Sequence, residues 1–201
     1  MTAGILLAAG ESTRMGQLKA LLPWRGTTLL QSQIAEMRLA GLQPLLVVLG
    51  HRADELRSLL APDVEIVLNP HYRDGKSTSI VAGVSALPPG VDTAIVVAVD
   101  QPTEAGILRA LAQSDARIAL PSLNKRRGHP TLFASSVFPD LVAITEEHEG
   151  LREVMRRYEA DIRYVDVASD IVRANLNSPE DYEQAFARWG RQAMTIFPPE
   201  Y

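Results

Sequence analysis

The chain has 201 residues, of which 46% are hydrophobic and 22% charged, with a net charge of −4 and no cysteine. That length supports one domain with a sizeable core, and the negative balance argues against a broad nucleic-acid footprint. Without cysteine there is no disulfide framework, thiolate nucleophile or Cys-based zinc site. No apolar run is long enough to span a membrane, and no basic leader precedes the first strand, so a cytoplasmic protein is expected.

Taken in order, the apolar run Ala3 to Ala9 reads as a buried strand that stops at Gly10. Two glycines, two hydroxyls, Arg14 and Lys19 follow, a composition suited to gripping phosphates. Gly10 and Gly16 let backbone N–H groups approach an anion, while Arg14 and Lys19 add positive charge. Neither GxxxxGK[ST] nor GxGxxG is present, and a strand with a solvated turn is the alternative. Thr27 to Leu39 has near-helical apolar spacing, with Gly41 as its C-cap. Leu45–Leu49 and Val64–Leu68 read as strands, with a short helix between them from Ala53 to Leu60. After Asn69-Pro70 comes Gly75-Lys-Ser-Thr-Ser79, then a helix to about Leu87, then the apolar strand Thr93 to Val99. Uniformly apolar strands alternating with helices predict an α/β fold, a mostly parallel central sheet with helices on both faces. Ligands then sit beyond the carboxyl ends of the strands.

The second half is less regular. Ile118–Pro121 and Pro130–Phe133 read as short strands around the polar turn 124–127, and Ile162–Val167 as another. Ser135 to Val142 and Gly150 to Tyr158 read as helices. A further helix is predicted with Ser178 as N-cap, Pro179 first and Asp181 third. Residues 1–190 are expected to form one domain, and 191–201 a loosely held tail.

Three more places carry chemistry. Asp100 follows a buried strand directly, where a carboxylate can hold Mg²⁺ together with phosphate oxygens; an Asp-Gln-Pro turn that only ends the strand is the alternative. Gly75 and the hydroxyls after it suit an anion at a helix start, or only a helix cap. His129 stands between Gly128 and Pro130 at the start of a strand, as a structural histidine or one facing a substrate.

Leu7-Ala-Ala-Gly-Glu-Ser-Thr-Arg-Met-Gly16 with Lys19 resembles the LAAGxSxRMGxxK signature of nucleotidyltransferases with a Rossmann-like three-layer, pyrophosphorylase-like fold. The resemblance implies that Leu7, Ala8, Ala9, Gly10, Ser12 and Gly16 wrap an NTP, that Arg14 and Lys19 neutralise its triphosphate, and that Asp100 binds the metal. Asn69-Pro-His-Tyr-Arg-Asp-Gly75-Lys-Ser77-Thr-Ser79 and Arg127-Gly-His129-Pro-Thr-Leu-Phe133 are similar to stretches of molybdenum cofactor cytidylyltransferases. There Gly75, Ser77 and Ser79 would help hold the nucleotide and His129 would orient the acceptor; Gly150-Leu-Arg152 is a looser match. Lys76 stands where those enzymes often carry a hydrophobic residue. Asn175-Leu-Asn177-Ser-Pro-Glu-Asp181 replaces their DxDTPED, and its NxN form resembles guanylyltransferases of the same cofactor. Asn oxygens still ligate a hard cation, so Asn177, with Asn175 behind it, is the second candidate metal ligand.

The resemblance therefore implies Mg²⁺-dependent transfer of NMP from CTP or GTP to a molybdopterin-type acceptor, with a molybdoenzyme or its chaperone as a further partner. A sugar-1-phosphate nucleotidyltransferase and a non-catalytic nucleotide-binding module are the alternatives.

Overall fold

Seven residues, Thr2–Ala8, form the strand β1, and all six after Thr2 are buried, Gly4 packed against Met37 of the helix that follows. In the computed structural model, which describes residues 1–191, the other elements follow in chain order. They are β2 (Pro23–Trp24), β3 (Thr27–Thr28), α1 (Leu29–Leu39), β4 (Leu45–Leu49), α2 (Ala53–Arg57), β5 (Val64–Leu68), α3 (Lys76–Ser85), β6 (Thr93–Ala98) and α4 (Ala105–Ala112). Then come β7 (Ile118–Leu123), β8 (Arg126–Arg127), β9 (Thr131–Ala134), α5 (Phe138–Val142), α6 (Leu151–Arg157), β10 (Ile162–Asp166) and α7 (Pro179–Ala185). The predicted tail lies outside the described residues beyond Arg191.

The sheet runs β10-β7-β9-β6-β1-β4-β5, with β8 folded back on β7. β6, β1, β4 and β5 are mutually parallel, as are β10 and β7. β9 lies antiparallel between β6 and β7, and β8 pairs antiparallel with β7, so the expected parallel core carries a mixed flank.

Strand alternation makes two cores. Leu6 and Ala8 of β1 pack with Leu30, Ile34 and Met37 of α1 and with Leu108 and Leu111 of α4. Ile5 and Leu7 point the other way, onto Ile80 and Val84 of α3. Each such Leu or Ile buried contributes about 1.5–3 kcal/mol. The result is the expected three layers, helices on both faces of the sheet.

Thr28 caps α1, its hydroxyl accepting from the Gln31 N–H at 3.2 Å, and Gly41 ends it with φ +78°. The helix α4 has no counterpart in the sequence reading, although Ile107, Leu108 and Leu111 all reach the core.

The register decides where chemistry can occur. Leu7 pairs with Ala98, so the chain leaves β1 and β6 side by side, Gly10 beyond one strand and Asp100 beyond the other. The crossovers from β1 to β4 and from β5 back to β6 diverge there, which opens a crevice at the carboxyl edge.

Candidate active site

A cavity of about 270 Å³ fills that crevice, lined among others by Gly10, Ser12, Lys19, Gly75, Lys76 and Asp100. Leu7, Ala9 and Ser79 complete the predicted residues on its wall. Ser12 holds φ 56° as the loop turns, and its hydroxyl accepts from the Lys19 backbone N–H at 3.1 Å. Lys19 is thereby anchored with its side chain directed inward. The Lys19 Nζ donates to Asp100 Oδ2 at 2.9 Å and lies 3.5 Å from Asn177 Oδ1.

Asn177 comes from a segment far along the chain. It is brought in by backbone pairing: the Leu176 N–H donates to the Asp100 carbonyl at 2.8 Å. Immediately after it, Ser178 and Asp181 form a reciprocal capping box that starts α7 and fixes where the Asn175–Asn177 strip ends. The carboxylate of Asp100 and the amide oxygen of Asn177 thus converge on one positive charge, here the Lys19 ammonium. One carboxylate and an amide oxygen are hard donors of the kind Mg²⁺ and Mn²⁺ accept when phosphate oxygens and water supply the rest. The residues present fit such an ion.

Four predicted contacts lie elsewhere. Arg14 and Gly16 are exposed on the short turn Thr13–Met15 and do not line the cavity, because the left-handed Ser12 and Gly16 swing that turn outward. Ala8 faces the α1 side of the sheet by strand alternation. Ser77 is buried away from the cavity: its N–H donates to Glu146 Oε1 at 2.8 Å, and its hydroxyl lies where a Cβ on Gly150 would be. The start of α3 therefore already holds an anion, the Glu146 carboxylate. Its pKa is held down chiefly by the Ser77 N–H, then by the Ser77 hydroxyl. What remains for a ligand on this side is Gly75, the Lys76 side chain and Ser79. The Ser79 hydroxyl is itself fixed by Asn69 Nδ2 at 3.0 Å.

Beyond Asp100 a second cavity, about 660 Å³, begins at Gln101 and is lined by His129 and Asn175. His129 Nε2 donates to the Ala174 carbonyl at 2.6 Å, which fixes the tautomer and leaves Nδ1 buried without a partner among the described residues. Burial lowers its pKa to about 4, so the ring is neutral at pH 7. Arg127, Arg152, Arg156 and Arg173 stand around this cavity, interspersed with Leu120, Met155, Ile162 and Tyr164. Among the described residues only Arg156 of the four is ion-paired, with Glu149 at 2.6 Å.

Sequence reasoning gave no role to Tyr72, which lines the first cavity, and missed Arg156 and Arg173 around the second. The four arginines come from three separate segments, and Arg156 and Arg173 belong to no motif. Tyr72 left one trace: a Cβ on Gly50 would overlap its ring, so that glycine is required.

The model of the MobA-like NTP transferase domain matches residues 4–162. The chain is 30% identical to the molybdenum cofactor cytidylyltransferase of Escherichia coli, over 92% of this chain and 95% of that one. It is also 30% identical to a nicotine blue oxidoreductase of Paenarthrobacter nicotinovorans, over 88% and 92%. Rv0371c of Mycobacterium tuberculosis, solved in complex with manganese, superposes with a TM-score of 0.73 at 26% identity, covering 91% of this chain and 96% of that one. A glycine loop, an anchored lysine and a strand-end carboxylate around one crevice, together with these matches, make the protein a nucleotidyltransferase, and it belongs to the family of MobA-like NTP transferase domains.

Proposed function

We propose that the protein transfers NMP, with CTP as donor, to the phosphate of a molybdopterin-type acceptor in the presence of Mg²⁺, releasing pyrophosphate. The observation that carries this reading is the pair of cavities on adjacent residues of one turn: a small one under the Gly10 loop, lined by Asp100, for the NTP, and a larger, arginine-flanked one, lined by Gln101, for an anionic acceptor. An acceptor phosphate oxygen attacks the α-phosphorus from the larger cavity, and the bond from the α-phosphorus to the bridging oxygen breaks. Lys19 and the Gly10 backbone take up the charge of departing pyrophosphate, and Arg14, on the exposed turn outside the cavity, adds positive potential from a distance. Asp100 and Asn177, with Asn175 adjacent, would hold a divalent ion, which would supply positive charge against the phosphates when bound. Holding both phosphates in line supplies most of the acceleration. His129, neutral and tied to Ala174, shapes the acceptor cavity wall and orients what binds there.

The cytidylyltransferase relative supports CTP and this acceptor. The Asn175-Leu-Asn177 strip favours a second reading, GTP as donor, because it resembles the guanylyltransferases. The test is pyrophosphate release from CTP, GTP, ATP and UTP with Mg²⁺, using molybdopterin or a sugar 1-phosphate as acceptor. Release with CTP and molybdopterin is expected. Release with no NTP would overturn the reading, and a redox chemistry like that named for the oxidoreductase relative would yield no pyrophosphate.

A further inference from the structure

The turn that carries Asp100 is gripped from below by one buried side chain. Gln33, on α1, is 2% exposed among apolar neighbours, where an amide is costly unless it is hydrogen-bonded. Its Nε2 donates to the carbonyls of Ala98 and Val99, each at 3.3 Å, and of Gln101 at 3.1 Å. Its Oε1 accepts from the Thr103 N–H at 3.2 Å. Carbonyls only accept and an amide N–H only donates, so the amide has one orientation in this nest. The bonds fall on both sides of Asp100, while the Asp100 carbonyl is taken by Leu176 from above. The same stretch is held further by the Val99 N–H donating to the Leu7 carbonyl at 3.0 Å and the Gln101 N–H donating to the Ala98 carbonyl at 2.9 Å, but among the described residues Gln33 is the one side chain that bonds its backbone on both sides of Asp100.

We infer that Gln33 is a positioning residue of the nucleotidyl-transfer site: through the 98–103 turn it sets where the Asp100 carboxylate stands relative to Lys19 and Asn177. This rests on the reading of Asp100 as the metal-holding carboxylate. Partners that orient a metal ligand in this way typically carry about 10–100-fold in metal affinity or activity.

The test substitutes Gln33→Met, which keeps the length and removes every bond, and Gln33→Asn, which keeps an amide one methylene short. Mn²⁺ binding is titrated by electron paramagnetic resonance in the presence of a non-hydrolysable CTP or GTP analogue, and kcat and KM for NTP are measured beside it. Met37→Ala, a cavity variant on the same helix, controls for lost stability. Gln33→Met is expected to weaken Mn²⁺ binding and lower kcat by roughly 10-fold or more, with KM for NTP moved far less; Gln33→Asn falls between it and wild type. Met37→Ala lowers Tm alone. If Gln33→Met does not fold, Gln33→Asn against Met37→Ala decides. Mn²⁺ affinity and kcat unchanged in a folded Gln33 variant, or shifted equally in Met37→Ala, would overturn the inference. Because Mn²⁺ binding needs no turnover, that result is distinct from absence of pyrophosphate release by the wild type, which would instead overturn the proposed function.

Discussion

His129 couples the fold to pH in a direction that can be worked out. Its imidazole titrates near 6.5 when free and near 4 in the folded protein, mainly because burial disfavours the charged ring. Above about pH 6.5 both states are neutral and nothing is lost. Between about 6.5 and 4 the unfolded chain takes up a proton that the folded chain refuses, so stability falls as pH falls. A shift of that size corresponds to about 3 kcal/mol once pH is below 4, against a total that is commonly about 5–15 kcal/mol. His129→Gln keeps an N–H for the Ala174 carbonyl and removes the titration. The assay is urea unfolding of both proteins at pH 7, 6, 5 and 4.5. The wild type should be the more stable at pH 7, and its advantage should shrink steadily below pH 6.5, other carboxylate effects cancelling in the difference. Two parallel profiles would show that the buried ring does not refuse its proton, and would refute the reasoning.

Two further outcomes follow from buried and capping contacts. Arg25 donates to Glu36 at 2.7 Å and to Glu104 at 3.1 Å with its side chain almost fully buried, so Arg25→Ala strands the Glu36 carboxylate. Breaking a buried pair in this way should cost about 3–5 kcal/mol in chemical denaturation. Ser178→Ala removes the oxygen that accepts from the Asp181 N–H, and should cost about 1 kcal/mol, read as a Tm lower by about 2–4 °C in thermal unfolding.

The parallel part of the sheet was legible because β1, β4 and β6 are buried on both faces and therefore apolar apart from the first threonine of β1 and of β6. The start of α7 was legible because Ser178, Pro179 and Asp181 are a local signal. The helix α4 escaped although Ile107, Leu108 and Leu111 share one face, since it is only eight residues long and its N-cap, Glu104, makes no side-chain cap hydrogen bond to mark its start. The antiparallel β9 is a matter of pairing, which sequence alone does not encode locally.

At the site, the spacing of Gly10, Ser12, Lys19 and Asp100 carried through because adjacent strand ends put them together. Ser77 did not, because its true partner, Glu146, lies far along the chain and fills the place an anion was expected to take. Gln33 was invisible for the same reason: within α1 it is one polar residue among many, and only its distant backbone partners give it meaning.

Under the proposed function, the Gly10 loop and Asp100 hold one metal-bearing triphosphate between them. Pyrophosphate release by wild type and by Asp100→Ala, followed across a Mg²⁺ titration with CTP, GTP and molybdopterin, tests it most directly. Mg²⁺-dependent release by the wild type and none by the variant is the expected result. A variant that turns over at the wild-type rate, with the same Mg²⁺ dependence, would contradict it.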